Sequence, residues 1–329
     1  MIKRIFAVLS IILLIVLIWI GYQLNYHPSL DAYKDHFIPI EEKPEKESAD
    51  LKVTFLGVST LLVDDGQTAF MTDGFFTRPG LLQLNSISPN KDLIVQSLGK
   101  LGVKSLAAVI PVHSHYDHAL DSAVVAELTN ADLVGSESTR NIGLGFGLPE
   151  NRIKVVTNES KLQYGKFKIT ILKSSHIPGG RYLGEITSPI TNPTKASEYK
   201  MGDCYSVLVE HGNRSILIQG SAGFIPGALK GHKADVVYLG VSGLGKFDES
   251  YLQEYWKETM ETVGAKRAIL VHWDDFFEPL DGELVLLPPF LDNFDNSIKF
   301  LLAKGKASDV DIRIPIVWKP ADPFTGLKF

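Results

Sequence analysis

The chain has 329 residues, 45% hydrophobic and 22% charged, which is enough to bury a real core and excludes a disordered or fibrous protein. Its 33 Lys and Arg against 38 Asp and Glu leave a net charge of −5, without the basic excess that binding a phosphate backbone requires, so no nucleic-acid partner is expected. A lone cysteine, Cys204, excludes an intrachain disulfide, a cysteine zinc ribbon and an iron–sulfur cluster; Cys204 reads as a small buried residue, and any metal site must use His and carboxylates.

Residues 5–22, IFAVLSIILLIVLIWIGY, form an almost unbroken apolar run behind Lys3 and Arg4. As a helix at ~1.5 Å per residue the run reaches about 27 Å, close to the ~30 Å hydrocarbon core of a bilayer. A cleaved signal peptide would end in small residues, whereas Trp19, Ile20, Gly21, Tyr22 and Gln23 close this run, so an uncleaved single-pass anchor is expected. Lys3 and Arg4 hold the N-terminus in the cytoplasm and send the large domain to the extracytoplasmic side of the cell membrane. Residues 25–50 turn polar and proline-bearing, with Pro28, Pro39, Pro44 and the run EEKPEKESAD, and read as a tether. The expected organisation is therefore an anchor over 1–24, a linker over 25–50 and a folded domain over 51–329.

The domain opens with short β-rich runs at 51–56 (LKVTFL), 59–63 and 68–72, separated by Gly57 and by Asp64, Asp65 and Gly66. Residues 104–112 (KSLAAVIPV) read as a buried strand that runs into His113. Asp121 is a plausible N-cap for a helix over 123–129, and 131–135 reads as the next strand. Downstream, 167–172, 205–210 and 215–219 are strands, the last two joined by a hairpin at Gly212 and Asn213. Residues 235–239 form another strand, 249–263 a helix, and 267–271 a strand that delivers His272, ahead of a hydrophobic end at Val317 and Trp318. Strand runs followed by strand–helix alternation predict an α/β protein with two sheets and helices outside them.

The central feature is His113-Ser114-His115-Tyr116-Asp117-His118. His113 and His115 project to the same side of an extended backbone, and the turn after them can swing Asp117 and His118 to the same point. Imidazole and carboxylate at such a point are what a borderline divalent ion such as Zn²⁺ accepts. With nine His in 329 residues, three His and an acid at this spacing is a chance event at roughly one in a thousand.

This H-x-H-x-D-H string resembles the metal-binding motif of the metallo-β-lactamase superfamily, and the resemblance extends over about 51–277. It implies a four-layer αββα sandwich. It also implies that His113, His115 and His176 (in SSHIPGG) hold one metal, that Asp117, His118 and His272 (in ILVHWDDF) hold a second, and that Asp73 (in MTDGFF) orients the motif loop from behind. The chain departs from the family where a metal-bridging aspartate is usual, in a G-D-x-G context: here the stretch is Gly220-Ser221-Ala222-Gly223. Ser221 is a poor ligand, so one Zn²⁺, or two with the second weaker, is expected. Asp274 or Asp275 could substitute for the missing carboxylate or form a solvated acidic turn; Asp203 and Gln219 are further substitutes.

The resemblance implies a membrane-anchored hydrolase in which a zinc-bound hydroxide, held by Asp117 as hydrogen-bond partner or general base, attacks an ester, lactone or phosphodiester. The superfamily's substrates are diverse, so the fold does not name this one. Phe75, Phe76, Tyr116, Trp273, Phe276 and Phe277 either line the metal cleft, favouring a small-molecule or lipid-like substrate with an apolar part, or pack beneath it. Arg78 and Arg181 either bind an anionic group or are solvated. The competing reading is a non-catalytic or weakly active protein that retains the fold for metal or ligand binding.

Overall fold

The computed structural model describes residues 2–39 and 51–328. Helix α1 (Ile2–Asn25) carries the apolar run as one continuous helix whose apolar side chains stand exposed. Over Lys3–Asn25 it is long and apolar enough to cross a membrane.

The segment expected to be a tether is docked in its first part. Residues 31–36 form a 3₁₀ turn, Ile38 donates its N–H to Ile314 O at 2.9 Å, and Ile314 N–H reaches His36 O at 2.8 Å. Ile38 is buried in the main core, with Leu30, Tyr33 and Phe37 packed against it. The physical reason lies in these four apolar side chains, spaced among charged residues, which give the segment a face to bury. The remainder of the expected linker, including Pro44 and the acidic and basic run, lies outside the described residues.

Two mixed seven-stranded sheets make an α/β fold. In the first, β1 (Lys52–Phe55), β2 (Leu61–Asp64) and β3 (Ala69–Thr72) form an antiparallel meander. Strands β4 (Ala108–Ile110), β5 (Asp132–Gly135) and β6 (Ile153–Val155) continue it in parallel. In the second, β7 (Ser160–Tyr164), β8 (Phe167–Ser174), β9 (Cys204–His211) and β10 (Arg214–Gln219) are antiparallel. Strands β11 (Val236–Gly240), β12 (Arg267–Val271) and β13 (Asp311–Arg313) are parallel. Strand β14 (Pro320–Ala321) returns to close the first sheet beside β1, and the hydrophobic end before it is explained by Val317 bridging Phe55 and by the Trp318 indole donating to Leu280 O.

The helices α2 (Lys91–Lys100), α3 (Tyr116–Ala119), α4 (Ser122–Thr129), α5 (Glu137–Gly145), α6 (Glu249–Trp256) and α7 (Phe294–Ser308) follow, with α6 running on into a wider π turn at Lys257–Glu261. Side chains Asn90, Ser136, Asp248 and Asn293 cap α2, α5, α6 and α7 by accepting backbone N–H groups. Asp121 stands at the start of α4 but does not cap it. Its carboxylate instead accepts the N–H groups of Phe76 and Thr77 at 2.7 and 2.6 Å, and burial pushes it up to about 6. One apolar cluster joins the inward faces of both sheets, through residues such as Val53, Phe70, Ile110, Ile169, Val207 and Ile269. A second, built on Met71, Val109, Leu133, Ala123 and Ile142, lies between the first sheet and its helices. Asp73, His113 and His272 directly follow β3, the β4 loop and β12, and His176 follows β8, so each enters the same region from a strand end.

Candidate metal centre

Asp73 sits in the left-handed region at φ 55° immediately after β3, and Gly74 at φ 82° completes the turn. That turn aims its carboxylate under the histidine motif. Oδ1 accepts the Val112 N–H at 2.9 Å, while Oδ2 accepts the Ser59 hydroxyl at 2.5 Å and faces His118 Nδ1 at 2.9 Å. All three side chains at Oδ2 are fully buried. With Nδ1 held by Asp73, His118 turns Nε2 outward, and that atom has no hydrogen-bond partner. A carboxylate behind an imidazole is the usual way a ligand ring is oriented. Ser59, on the turn before β2, is a contributor that the sequence motif does not reveal.

The ligand-capable atoms of His113, His115 and His176 lie within 4.8 Å of one another, as do those of Asp117, His118 and His272. His113 Nε2 and His115 Nδ1 are 3.0 Å apart, and Asp117 Oδ2 lies 3.4 Å from His272 Nε2 and 3.6 Å from His118 Nε2. The two trios adjoin, since the His113 and His118 rings stand 4.0 Å apart. His272, at φ 57°, is pinned by its own N–H to Val58 O at 2.7 Å. His176 directs Nδ1 to Ile177 O at 3.0 Å, leaving Nε2 for the trio.

Electrostatics keep the rings of the first trio ready for a cation. Burial pushes His113 well down, and the neighbouring His118, His115, His176 and His272 push it further. Burial lowers His115 and takes His176 to about 4. These rings are therefore neutral with free lone pairs, the state a metal needs. For Asp117, burial opposes the charge but is outweighed by His118 and His272, which hold the carboxyl below its usual range. His118 Nε2, buried without a partner and 3.6 Å from Asp117 Oδ2, costs about 1–3 kcal/mol when left so. Bound divalent cations would relieve that cost, so the donor set fits metal.

The remaining expected residues go elsewhere. Asp274 is fully buried and joins no trio: Arg78 Nη2 pairs with its Oδ2 at 2.5 Å, and the Val58 N–H donates to its Oδ1 at 2.8 Å. This corrects both its expected role as substitute ligand and that of Arg78 as anion binder, because a buried carboxylate needs a buried cation. Asp275 faces away from both trios and lies in a separate group with His27 and Glu278. Ser221 Oγ accepts the Ile177 N–H at 3.1 Å. The Gln219 amide is consumed by Ser174, Ser206 and the carbonyls of Ser221 and Gly223, while Asp203 accepts from Tyr205. Arg181 is exposed.

Among the aromatics, Phe75, Phe76 and Trp273 are buried in the core, whereas Phe276 stands against both His272 (5.6 Å between centroids) and Tyr116 (6.5 Å). Tyr182, unremarked in the sequence, stands edge-on to His115 at 6.3 Å. Cys204 is a buried free thiol pushed up to about 12 by burial, which makes it unreactive. A wide cleft of about 730 Å³ over β7–β10 holds none of the trio residues.

No protein-family model matches the chain. A metal-dependent hydrolase of Heliobacterium modesticaldum is 26% identical over 158 residues, 46% of this chain, and the match spans 59% of that protein, under two thirds of its length. Among solved structures, an isothiocyanate hydrolase from Delia radicum gut bacteria is similar with a TM-score of 0.51 at 15% identity, covering 82% of this chain and 98% of that one. A Veillonella parvula protein described as a possible metal-dependent hydrolase gives 0.50 at 16% identity with the same coverage. The metallo-β-lactamase fold protein YhfI of Bacillus subtilis gives 0.46 at 17% identity, covering 83% and 99%. The chain shares its fold with the isothiocyanate hydrolase and the Veillonella parvula protein. In this fold Gly220 and Gly223 are close approaches: a Cβ on Gly220 would lie 2.8 Å from Ser59 Oγ, and one on Gly223 would lie 2.3 Å from His176 O. The strand end that carries Ser221 is thus packed directly against the residues behind both trios.

Proposed function

We propose that the protein is a membrane-anchored, metal-dependent hydrolase that acts on an ester, lactone or phosphodiester with zinc as its metal. The observation that carries this reading is the convergence of His113, His115 and His176 beside Asp117, His118 and His272. The α/β fold of two mixed sheets supports it, as does the similarity to metal-dependent hydrolases. The exposed apolar helix α1 supports the anchor, with the domain on the extracytoplasmic side.

Held by these residues, a divalent ion would supply Lewis acidity and lower the pKa of a water from ~15.7 to ~7. The chain's own groups do the rest. Asp117, charged and at the junction of the trios, accepts a hydrogen bond from the attacking water and, where its own trio holds no metal, takes its proton. Asp73 and Ser59 fix the His118 ring, and Phe276 and Tyr182 flank the site beside His272 and His115. Elemental analysis of the purified full chain together with a panel of generic esters, lactones and phosphodiesters tests the reading. The expected result is at least one zinc per chain and turnover of one of these classes; stoichiometric metal with no turnover across the panel would favour a protein that only binds metal.

Ser221 bears on metal number. A hydroxyl in place of a bridging carboxylate removes a negative charge between the two trios, so the Asp117, His118 and His272 site is the weaker one. Ser221→Asp is expected to raise zinc towards two per chain under conditions where the parent protein holds about one. Equal stoichiometry in both proteins at saturating zinc would contradict the argument.

A further inference from the structure

A cavity of about 440 Å³ lies between the segment that follows α1 and the loop that follows His272. His27, Leu30 and Phe37 line one side; Trp273, Leu284 and Leu286 line the other. The volume falls within the ~300–1,000 Å³ of small-molecule sites, and the lining is mainly apolar, as such sites are. Trp273 is 3% exposed and forms part of the wall with its ring.

The cavity's depth relative to a bilayer follows from chain geometry. Lys3–Asn25 has 23 residues, about 34 Å at ~1.5 Å each, which exceeds the ~30 Å hydrocarbon core and leaves Asn25 in the headgroup layer. His27 is two residues further, at most about 7 Å away. It is held to the cavity's far wall by Nδ1 at 2.8 Å from Leu286 O. With α1 as a membrane anchor, His27 keeps this wall of the cavity within about 7 Å of the headgroup layer. The cavity's one lysine, Lys34, is already paired with Asp31 at 2.7 Å, and Glu283 adds a further carboxylate. A net anionic head has no unpaired cation to meet.

We propose that this cavity binds a single-chain amphiphile with a neutral or zwitterionic head, drawn from the bilayer face that α1 reaches, with its chain against Trp273, Leu284 and Leu286. The proposal rests on reading α1 as a membrane anchor. Because Trp273 directly follows His272, a bound chain would brace the same loop that carries a candidate metal ligand.

The test uses the full chain in phosphatidylcholine nanodiscs and lysophosphatidylcholine brominated in its tail, with tryptophan fluorescence as the readout. Of the four tryptophans, Trp19 lies in α1 and reports partitioning, which rises without saturating. The expected result is an additional saturable quenching that disappears in Trp273→Phe. In Leu284→Ala, whose side chain is only half-buried, the half-saturating concentration should rise about tenfold, the scale on which apolar pockets register lost methylenes. Quenching that never saturates, that persists in Trp273→Phe, or that is unchanged in Leu284→Ala overturns the site. A brominated fatty-acid anion that binds as tightly overturns the assignment of the head. Flotation with phosphatidylcholine vesicles is scored separately: a chain that does not float overturns the anchor and the bilayer as source, while the quenching still decides whether the cavity is filled.

Discussion

His115→Ala is expected to strip the metal from the His113, His115 and His176 site and to lower hydrolysis by more than ~100-fold. The magnitude is set by comparison: changing a residue that merely orients a ligand costs about 10–100-fold in affinity or activity, so losing a ligand costs more. The substitution leaves the local backbone intact, because His118 and Ala119 donate their N–H groups to the carbonyl of residue 115, not to its side chain. An unchanged circular dichroism spectrum with a loss of zinc by elemental analysis is therefore the predicted pair of results. Retention of full activity would contradict the assignment of the centre.

The second large effect is expected away from the ligands. Arg78→Ala leaves Asp274 fully buried without its cation, and removing one partner of a buried pair costs about 3–5 kcal/mol. The loss propagates along a short path: Asp274 holds the Val58 N–H, and the Val58 carbonyl holds the N–H of His272. Urea unfolding of the variant should show a midpoint well below that of the parent with the same slope. Gly57→Ala should do much the same by another route. Its φ is +84°, and a Cβ there would stand 1.7 Å from Arg78 Nη2. If both variants unfold within about 0.5 kcal/mol of the parent, the range of ordinary surface substitutions, the clamp has no structural weight.

The alternating strand runs and the dense histidine motif were legible from residues alone because both are local. Side chains two apart in extended backbone share a face, and His113 and His115 are two apart. The runs at 167–172 and 205–210 appear as β8 and β9, slightly longer at their ends. The one expected strand that shrank most, 104–112, keeps pairing only over Ala108–Ile110, where β3 and β5 flank it. Asp121 shows the limit of a local rule. Its position before α4 marks a helix start, yet its carboxylate is claimed by the Phe76 and Thr77 N–H groups, more than forty residues away in sequence.

Composition and spacing by themselves determined that any metal here is held by His and carboxylate, that two sheets carry the domain, and that an apolar helix precedes it, because each depends on residue type or short-range period. Which acids serve the site was decided only by tertiary structure. Asp117, Asp274 and Asp275 are alike as side chains, but Asp117 faces His118 and His272, Asp274 is claimed by Arg78, and Asp275 looks towards His27. The docking of residues 30–38 was decided in the same way, since four scattered apolar side chains bury only where Ile314 and the core offer a matching surface. A carboxylate's role is set by the charge it meets in space, and that neighbour is not written beside it in the chain.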